Sequence, residues 1–312
     1  MIRERGIAVT VLRFTVPPEW DRKTLREFLQ TAHGVSGTTL KRAKRLPLGI
    51  TQNGEHCRTV DLVHAGAEIT VTVAEEEHAY RPYALDVPVL YEDESTVVFD
   101  KPAGLPVHPS LGHPYDTLAN VYAARPQTAD CVFHPLNRLD RDTTGIVLVA
   151  KNAHAAYNTA LVKKIYLAVL CGVPREMCGT LDLPIGREGE DTQRRIVRPD
   201  GQRAVTKYRV FASKNGFSVA AVRIFTGRTH QIRVHMAHIG CPLLGDTLYG
   251  SKSPLINRQA LHCTSLTWTH PMTGESIETL SPAPADMLAA ANALGFTDTL
   301  RQNPCQGQYN ML

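Results

Sequence analysis

The segment 137–145 reads NRLDRDTTG and leads directly into the apolar run 146–150. An acidic side chain at such a junction can lie near the core and still face a cleft. A neighbouring arginine would keep the carboxylate ionised, because an opposite charge favours the charged form. Asp140 and Asp142 are therefore candidates for acid, base or nucleophilic chemistry. An ordinary turn with surface ion pairs would produce the same spacing.

A second segment, FTGRTHQIRVHM at 225–236, combines a glycine that ends a strand with the start of a helix. Thr229 can cap that helix, and the helix N-terminus with two arginines would attract an anion. His235 and His238 lie on one helical face, as a metal pair could. No third ligand falls at zinc-like spacing, so structural histidines are expected.

A third segment, KKIYLA at 163–168, places Tyr166 at the opening of an apolar strand. Most tyrosines in that position are core residues whose hydroxyl reaches water. The segment therefore says little when taken alone.

Together the three segments resemble the RluA family of RNA pseudouridine synthases. The family pattern is close to HRLDx[DE]TSG, then KxYxA, then GRTHQIRxH, and this chain has RLDRDT, KIYLA and GRTHQIRVH in that order. KPAG at 101–104 with His108 and Pro109 matches a further family segment. The resemblance covers about residues 85–282. Two positions depart from it, since Asn137 replaces a histidine and Thr144 replaces a serine.

The resemblance implies an enzyme that isomerises uridine to pseudouridine in structured RNA. No redox change or group donor is involved, so no cofactor and no metal are expected. Asp140 would attack the sugar or take a proton from it, Tyr166 would pack against the uracil, and Arg233 would keep Asp140 ionised. Arg138 would fill the space that the flipped base leaves. The further residues expected to contact RNA are Arg141, Arg228, His230, Gln231, Lys41 and Arg42.

The chain divides into a small and a large unit, with boundaries expected at 1–80 and 85–290. The first unit begins with a strand at 9–16, followed by a helix capped by Asp21 and a second helix capped by Ser36. Lys41 and Arg42 belong to a basic cluster on the second helix. This unit resembles a divergent alpha-L RNA-binding motif through LREFL at 25–29, Val35-Ser36, Asn53-Gly54 and Gly66. A disordered tail is expected at 297–312.

The large unit alternates strands and short helices without regular βαβ repeats, which favours an α+β fold. We expect a mixed, mainly antiparallel central sheet with flanking helices. The predicted strands are 97–99, 146–150, 165–171, 205–211 and 217–225. Helices are predicted at 153–163 and 229–239.

Composition is ordinary for a globular protein, with 43% hydrophobic and 21% charged residues in a chain of 312. The formal net charge is only +4, but residues 187–233 hold eleven Lys or Arg and four acids. Such a patch suits a phosphate backbone, although a solvated face would look the same. Seven cysteines without a CxxC pair predict free thiols in a reducing cytoplasm. No apolar run approaches the length of a membrane span.

Two other functions compete with the synthase. A non-catalytic RNA-binding or ribosome-assembly protein could use the same basic face, but the complete set of Asp140, Tyr166 and Arg233 argues against it. A metal-dependent phosphoesterase could use Asp140 and Asp142, but it lacks a convincing ligand set. The sequence leaves ribosomal and transfer RNA both open as substrates.

Overall fold

The structure, a computed structural model, describes residues 7–76, 80–128, 131–190, 192–296 and 299–300. Two main β-sheets organise these residues, one of four strands and one of ten, beside a two-stranded ribbon. The helices are few and short, and most strand pairs are antiparallel. The predicted α+β class is therefore confirmed.

The N-terminal unit contains the four-stranded sheet, in the order β1-β4-β2-β3. Its elements are β1 (Ile7–Thr15), a 3-10 turn (Pro18–Trp20), α1 (Leu25–Glu27), a π-helical turn (Phe28–Ala32), α2 (Gly37–Ala43), β2 (Ile50–Gln52), β3 (Glu55–His56) and β4 (Glu68–Glu76). Leu25, Phe28 and Leu29 are buried with Ile69 and Val71 of β4 in one hydrophobic cluster. The apolar positions of the short helices thus cover one face of the sheet.

The first helix begins three residues later than predicted. Its cap is Thr24, whose hydroxyl accepts the Glu27 N–H while the Glu27 carboxylate accepts the Thr24 N–H. This reciprocal box satisfies two otherwise unpaired donors, which a single Asp21 cap would not. The Asp21 carboxylate instead accepts the N–H of Ala65 at 3.0 Å. The predicted Ser36 cap is confirmed by its bond from the Thr39 N–H at 3.0 Å.

The large unit is built on the ten-stranded sheet. Its strands are β5 (Val89–Glu92), β6 (Thr96–Lys101), β7 (His134–Pro135), β8 (Thr144–Ala150), β9 (Leu161–Cys171), β10 (Cys178–Asp182), β13 (Val205–Lys214), β14 (Phe217–Ile224), β15 (Leu261–Thr269) and β16 (Ser276–Leu280). The ribbon pairs β11 (Ile185–Arg187) with β12 (Arg195–Val197). The helices are α3 (Leu118–Ala124), α4 (Ala153–Asn158), α5 (Gln231–His238) and α6 (Ala285–Ala293), and Pro126–Thr128 form a 3-10 turn. The main strand order is β10-β13-β14-β9-β15-β8-β6-β5.

The helix predicted over 153–163 is wrong in its second half. Helix α4 ends at Asn158, and β9 begins at Leu161. Strand β9 lies between β14 and β15, and both pair with it along most of its length. Backbone hydrogen bonds on two sides outweigh the helical composition of these few residues, because intrinsic propensity is a weak preference.

Strand β9 also explains why its sequence is apolar without alternation. Tyr166, Ala168 and Leu170 belong to the core cluster on one face, whereas Leu167 and Val169 belong to the cluster on the other. Helices α3 and α5 pack residues into the first cluster, and α6 packs into the second. A strand that is covered on both faces needs apolar residues at every position.

The two units touch through α4. The ring of His154 lies 6.1 Å from that of Phe14, which in turn stacks on His33 at 4.3 Å. His154 is buried, and its imidazole is within 3.1 Å of the Asn158 amide. Burial lowers the pKa of His154 to about 4. The contact between the units therefore contains a neutral histidine.

Of the predicted tail, the structure describes only residues 299–300, and Leu300 is buried near Phe296. Residues 297–298 and 301–312 lie outside the described part. Among the described residues, no helix is long and apolar enough to cross a bilayer.

Candidate active site

A pocket of about 540 Å³ opens where the sequence motifs meet. Its wall is formed by residues from within four parts of the chain that are far apart in sequence, 106–110, 135–143, 164–166 and 224–233, together with Leu261. The tertiary fold thus brings together all three segments singled out above, and with them the segment around His108. Asp140, Tyr166 and Arg233 all lie on this wall.

Asp140 lies in the loop between β7 and β8, and its side chain is 25% exposed. The loop closes as a turn, since the Thr143 N–H donates to the Asp140 carbonyl at 3.1 Å. Arg233 donates to the Asp140 carboxylate from Nη1 at 3.1 Å. The carboxylate is therefore held near the core, paired with a cation, and still open to the pocket.

Both departures from the family pattern hold this loop. The Asn137 amide donates to the Ile146 carbonyl and accepts the Leu148 N–H, each at 2.8 Å. The Thr144 hydroxyl lies 2.9 Å from Nδ1 of His262. The Asn137 side chain thus makes hydrogen bonds with the backbone of β8 of the kind that an adjacent strand would make. Asn137 and Thr144 are both buried and have hydrogen-bond partners, so the loop keeps a defined geometry.

Arg233 is shared between two carboxylates. Its Nε and Nη2 donate to Asp246 at 2.7 and 2.9 Å, which leaves Nη1 for Asp140. The Asp246 side chain is fully buried and also accepts the N–H groups of Leu248 and Tyr249. Burial alone would lower the pKa of Arg233, but hydrogen bonds and charges from both carboxylates outweigh it and raise the pKa. Asp246 therefore fixes the guanidinium in the plane from which it meets Asp140.

Tyr166 lines the pocket from β9 and is almost fully buried. Cys263 is its antiparallel partner on β15. Burial raises the pKa of Tyr166 far above its usual value, with smaller contributions from Cys263 and Asp140. The phenol is therefore neutral at any physiological pH and can pack on a planar ring.

Lys101 is completely buried behind the Asp140 loop. Its ammonium donates to three backbone carbonyl oxygens, those of Pro102 (2.9 Å), Leu105 (2.8 Å) and Arg141 (2.9 Å). Burial lowers the pKa of Lys101 to about 7, and the charges of Asp142 and Asp140 oppose that shift. Lys101 ties the turn after β6 to the loop that carries Asp140, which is a structural use of the KPAG segment.

The residues predicted to contact RNA occupy three different environments. Arg138, on the pocket wall, and Lys41 and Arg42, on α2, are exposed. Arg141 is exposed too, but it makes a bidentate ion pair with the Asp142 carboxylate. Their contact with RNA stays a prediction.

The remaining three predicted contacts lie around the start of α5. Gln231 is buried, and its amide bonds to Thr226, to the Arg228 N–H and to the Val205 carbonyl. These bonds give Gln231 a structural use in holding the loop before α5. Arg228 is exposed and donates to Gln202.

His230, not Thr229, is the N-cap of α5, and the prediction for Thr229 is wrong. His230 has a left-handed backbone with φ of 57°, and no side chain caps the helix there. Its Nδ1 lies 2.9 Å from the Tyr249 hydroxyl. Burial lowers the pKa of His230, and the charge of Asp140 opposes that effect.

Of the two histidines of α5, His235 has the environment of a structural residue. His235 is buried between the Thr206 hydroxyl and the Leu183 carbonyl, at 2.9 and 3.0 Å. His238 is exposed. Within the described ranges, no group of three His, Cys, Asp or Glu is arranged to hold a metal ion.

Comparison with known proteins agrees with this geometry. The family model described as RNA pseudouridylate synthase matches residues 95–238. The uncharacterized RNA pseudouridine synthase YjbO of Bacillus subtilis is 42% identical over 245 residues, which cover 75% of this chain and 87% of that protein. The chain belongs to the RNA pseudouridine synthase family. The predicted family and the predicted isomerase activity on RNA are thereby confirmed.

Further relatives extend the match. The ribosomal large subunit pseudouridine synthase D of Xanthomonas campestris is 36% identical over 302 residues, covering 89% of this chain and 86% of that one. The protein of the same name from Pseudomonas aeruginosa is 39% identical over 264 residues, with coverage of 77% and 82%. The human RNA pseudouridylate synthase domain containing 4 has the same fold, with a TM-score of 0.54, 24% identity and coverage of 67% and 93%.

Asp246 is the residue of this pseudouridine synthase that sequence reasoning missed. Its signal was a lone acid inside the apolar stretch CPLLGDTLYG at 241–250. Buried carboxylates are rare unless they are paired, so an acid in such a setting indicates a buried cation near it. Lys101 was noticed only as part of a motif, and no pattern showed that its ammonium would be buried.

Proposed function

We propose that this pseudouridine synthase modifies uridine in ribosomal RNA of the large subunit. The support is the similarity to two proteins named ribosomal large subunit pseudouridine synthase D, one of which aligns with 89% of this chain. Transfer RNA is the competing substrate. The cytoplasm, predicted from the free cysteines, is the compartment in which we expect the reaction.

One observation carries the assignment of the active site, namely the Asp140–Arg233 pair on a pocket wall that also includes Tyr166. Asp140 acts as the catalytic carboxylate, either as nucleophile on the sugar or as base for a sugar proton. In the reaction the bond between N1 and C1′ breaks, the uracil turns, and C5 bonds to C1′. The C5 proton leaves to solvent and N1 gains one.

The other two residues serve that step. Arg233 holds the Asp140 carboxylate in place through the ion pair from Nη1. Tyr166 packs against the uracil as a neutral phenol and hydrogen bonds to it during the proton transfer. Arg138, exposed beside the pocket, fills the gap that the flipped nucleotide leaves.

The N-terminal unit supplies affinity for RNA rather than chemistry. Its support is the resemblance to an alpha-L RNA-binding motif and the exposure of Lys41 and Arg42 on α2. We place the boundary between the units in residues 80–85, between the four-stranded and the ten-stranded sheets. The buried pair of Asp246 with Arg233 orients Arg233 toward Asp140. This arrangement favours a catalytic protein over a non-catalytic RNA-binding protein.

The decisive experiment is single-turnover tritium release from uridine labelled at C5, in ribosomal and transfer RNA fractions separately. Asp140→Asn should fold, bind RNA like the parent and release no tritium, since an amide is neither ionised nor a good nucleophile. The matched control is Asp142→Asn, which should retain measurable turnover.

Each outcome decides one part of the proposal. Release by Asp140→Asn at the parent rate would remove Asp140 from the catalytic role. Release by the parent from transfer RNA alone would make the ribosomal substrate wrong. If the parent binds RNA and releases tritium from no fraction, the non-catalytic function becomes the better conclusion.

A further inference from the structure

Two large exposed apolar side chains, Leu111 and Phe225, are adjacent in sequence to residues that line the pocket, although neither is itself a lining residue. Leu111 is fully exposed and follows Ser110, which lines the pocket. Phe225 is 52% exposed and lies between the lining residues Ile224 and Gly227. Because lining residues precede Leu111 and stand on both sides of Phe225 in the chain, both side chains are candidates for contact with RNA around the pocket.

Leu111 is presented by a closed hairpin. Ser110 and His113 exchange both backbone hydrogen bonds, at 3.1 and 3.0 Å, so Leu111 and Gly112 form the tip of a two-residue turn. The hairpin is anchored because His113 Nδ1 lies 2.7 Å from the Asp116 carboxylate. The leucine at the tip is therefore held away from the protein core by a defined backbone.

Phe225 is held by a backbone hydrogen bond and by a cation against its ring. Its N–H donates to the Val205 carbonyl at 3.0 Å, which fixes the backbone at the end of β14. The Arg223 guanidinium lies over the Phe225 ring, 4.5 Å from its centroid. One face of the ring is thus occupied by a cation, and the residue still exposes half of its surface.

These two features match what unstacked RNA needs. A target uridine must leave its stack before it can enter the pocket, and its neighbours then lose a stacking partner. Apolar wedges such as leucine enter gaps between bases, and aromatic rings offer a face on which a base can stack. Arg228, which is exposed and lines the pocket, offers a positive charge for an adjacent phosphate.

We propose that Leu111 is a wedge that enters the RNA stack next to the target uridine, and that Phe225 is a platform for a flanking base. The proposal rests on the proposed function, because it assumes that the pocket receives a flipped uridine. Both residues are positioning residues: they hold the neighbours of the target and leave the chemistry to the pocket.

The test compares two RNAs with the full-length protein. One is a stem–loop in which the target uridine is stacked, with 2-aminopurine as its neighbour. The other is a short unstructured oligonucleotide of the same sequence. Fluorescence of 2-aminopurine reports unstacking whether or not turnover occurs, and tritium release reports turnover.

Leu111→Ala should abolish the fluorescence rise and lower kcat/KM by about ten-fold on the stem–loop, but by no more than about two-fold on the unstructured RNA. Phe225→Ala should raise KM by about ten-fold on both RNAs with kcat unchanged. The matched controls are Leu280→Ala and Tyr157→Ala, two exposed residues that are not adjacent in sequence to any residue lining the pocket, and both should behave like the parent.

The outcomes separate this proposal from the proposed function. Variants that unstack and bind the stem–loop like the parent would overturn it, and so would a parent that binds without any fluorescence rise. If the parent protein unstacks the RNA but releases no tritium, the proposed function is overturned and the proposed role of Leu111 in unstacking is not.

Discussion

Two basic regions of the molecule use their positive charge in opposite ways. In the pocket, Arg233 is 9% exposed and bonded to two carboxylates. On α2 of the N-terminal unit, Lys41 and Arg42 are exposed, and neither makes an ion pair among the residues that the structure describes. A buried and fully bonded cation fixes geometry, whereas an exposed one can exchange solvent for phosphate.

The other arginines of the basic stretch 187–233 include an intermediate group, which is exposed but already paired. Three of its arginines pair with neighbouring acids at the surface, as Arg194 with Glu188, Arg198 with Asp200 and Arg203 with Asp182. Such exposed pairs contribute little stability and are easily exchanged for other partners. Counting basic residues along the sequence therefore overstates the number of side chains that are free to bind RNA phosphates, because some of them already pair with carboxylates.

The largest effect is expected from breaking the buried pair. Asp246→Asn removes the charge that holds Arg233 in place, which should cost about 3 kcal/mol of unfolding free energy. Because the guanidinium then loses its fixed orientation, kcat should fall by about 10- to 100-fold with KM nearly unchanged. Chemical denaturation and single-turnover kinetics measure the two effects.

The matched control for that variant is Asp182→Asn, which breaks the exposed pair with Arg203. It should change stability by less than about 1 kcal/mol and leave kcat alone. Equal losses in both variants would mean that burial does not distinguish the two kinds of pair.

A smaller effect, on binding alone, is expected from the N-terminal cluster. Replacing Lys41 and Arg42 together by glutamine should weaken binding of long RNA. The slope of log K for binding against log salt concentration should become shallower by about one to two, because fewer counterions are released when phosphate contacts are lost. Turnover at saturating RNA should stay at the parent value. An unchanged salt slope would show that this exposed charge faces away from RNA.

The smallest effect concerns the contact between the units, and it depends on pH. His154 has a pKa of about 4 in the folded protein, against an ordinary value of 6.5. Between these values the unfolded chain binds more protons than the folded protein, so stability falls as the pH falls from about 6.5 to 4. His154→Gln should reduce this dependence, as measured by Tm at a series of pH values.

A parent profile that is flat between pH 6.5 and 4 would show that protonation of His154 is accommodated without loosening the contact.

Local patterns in the sequence determined much of this protein. The LDRDT loop before an apolar strand placed Asp140, the GRTHQIR segment placed Arg233 at a helix, and KIYLA placed Tyr166 on a strand. These features depend on residues close together in the chain, such as a turn followed by a buried strand. Family membership and fold class followed from their order.

Only the tertiary structure decided which charges face one another. Asp246 meets Arg233 across thirteen positions of chain, and Lys101 meets the Arg141 carbonyl across forty. The same holds for the end of α4, where pairing of β9 with two neighbours stops the helix at Asn158. Burial, pairing and pKa depend on the groups that the fold brings together, and one-dimensional spacing does not specify those partners.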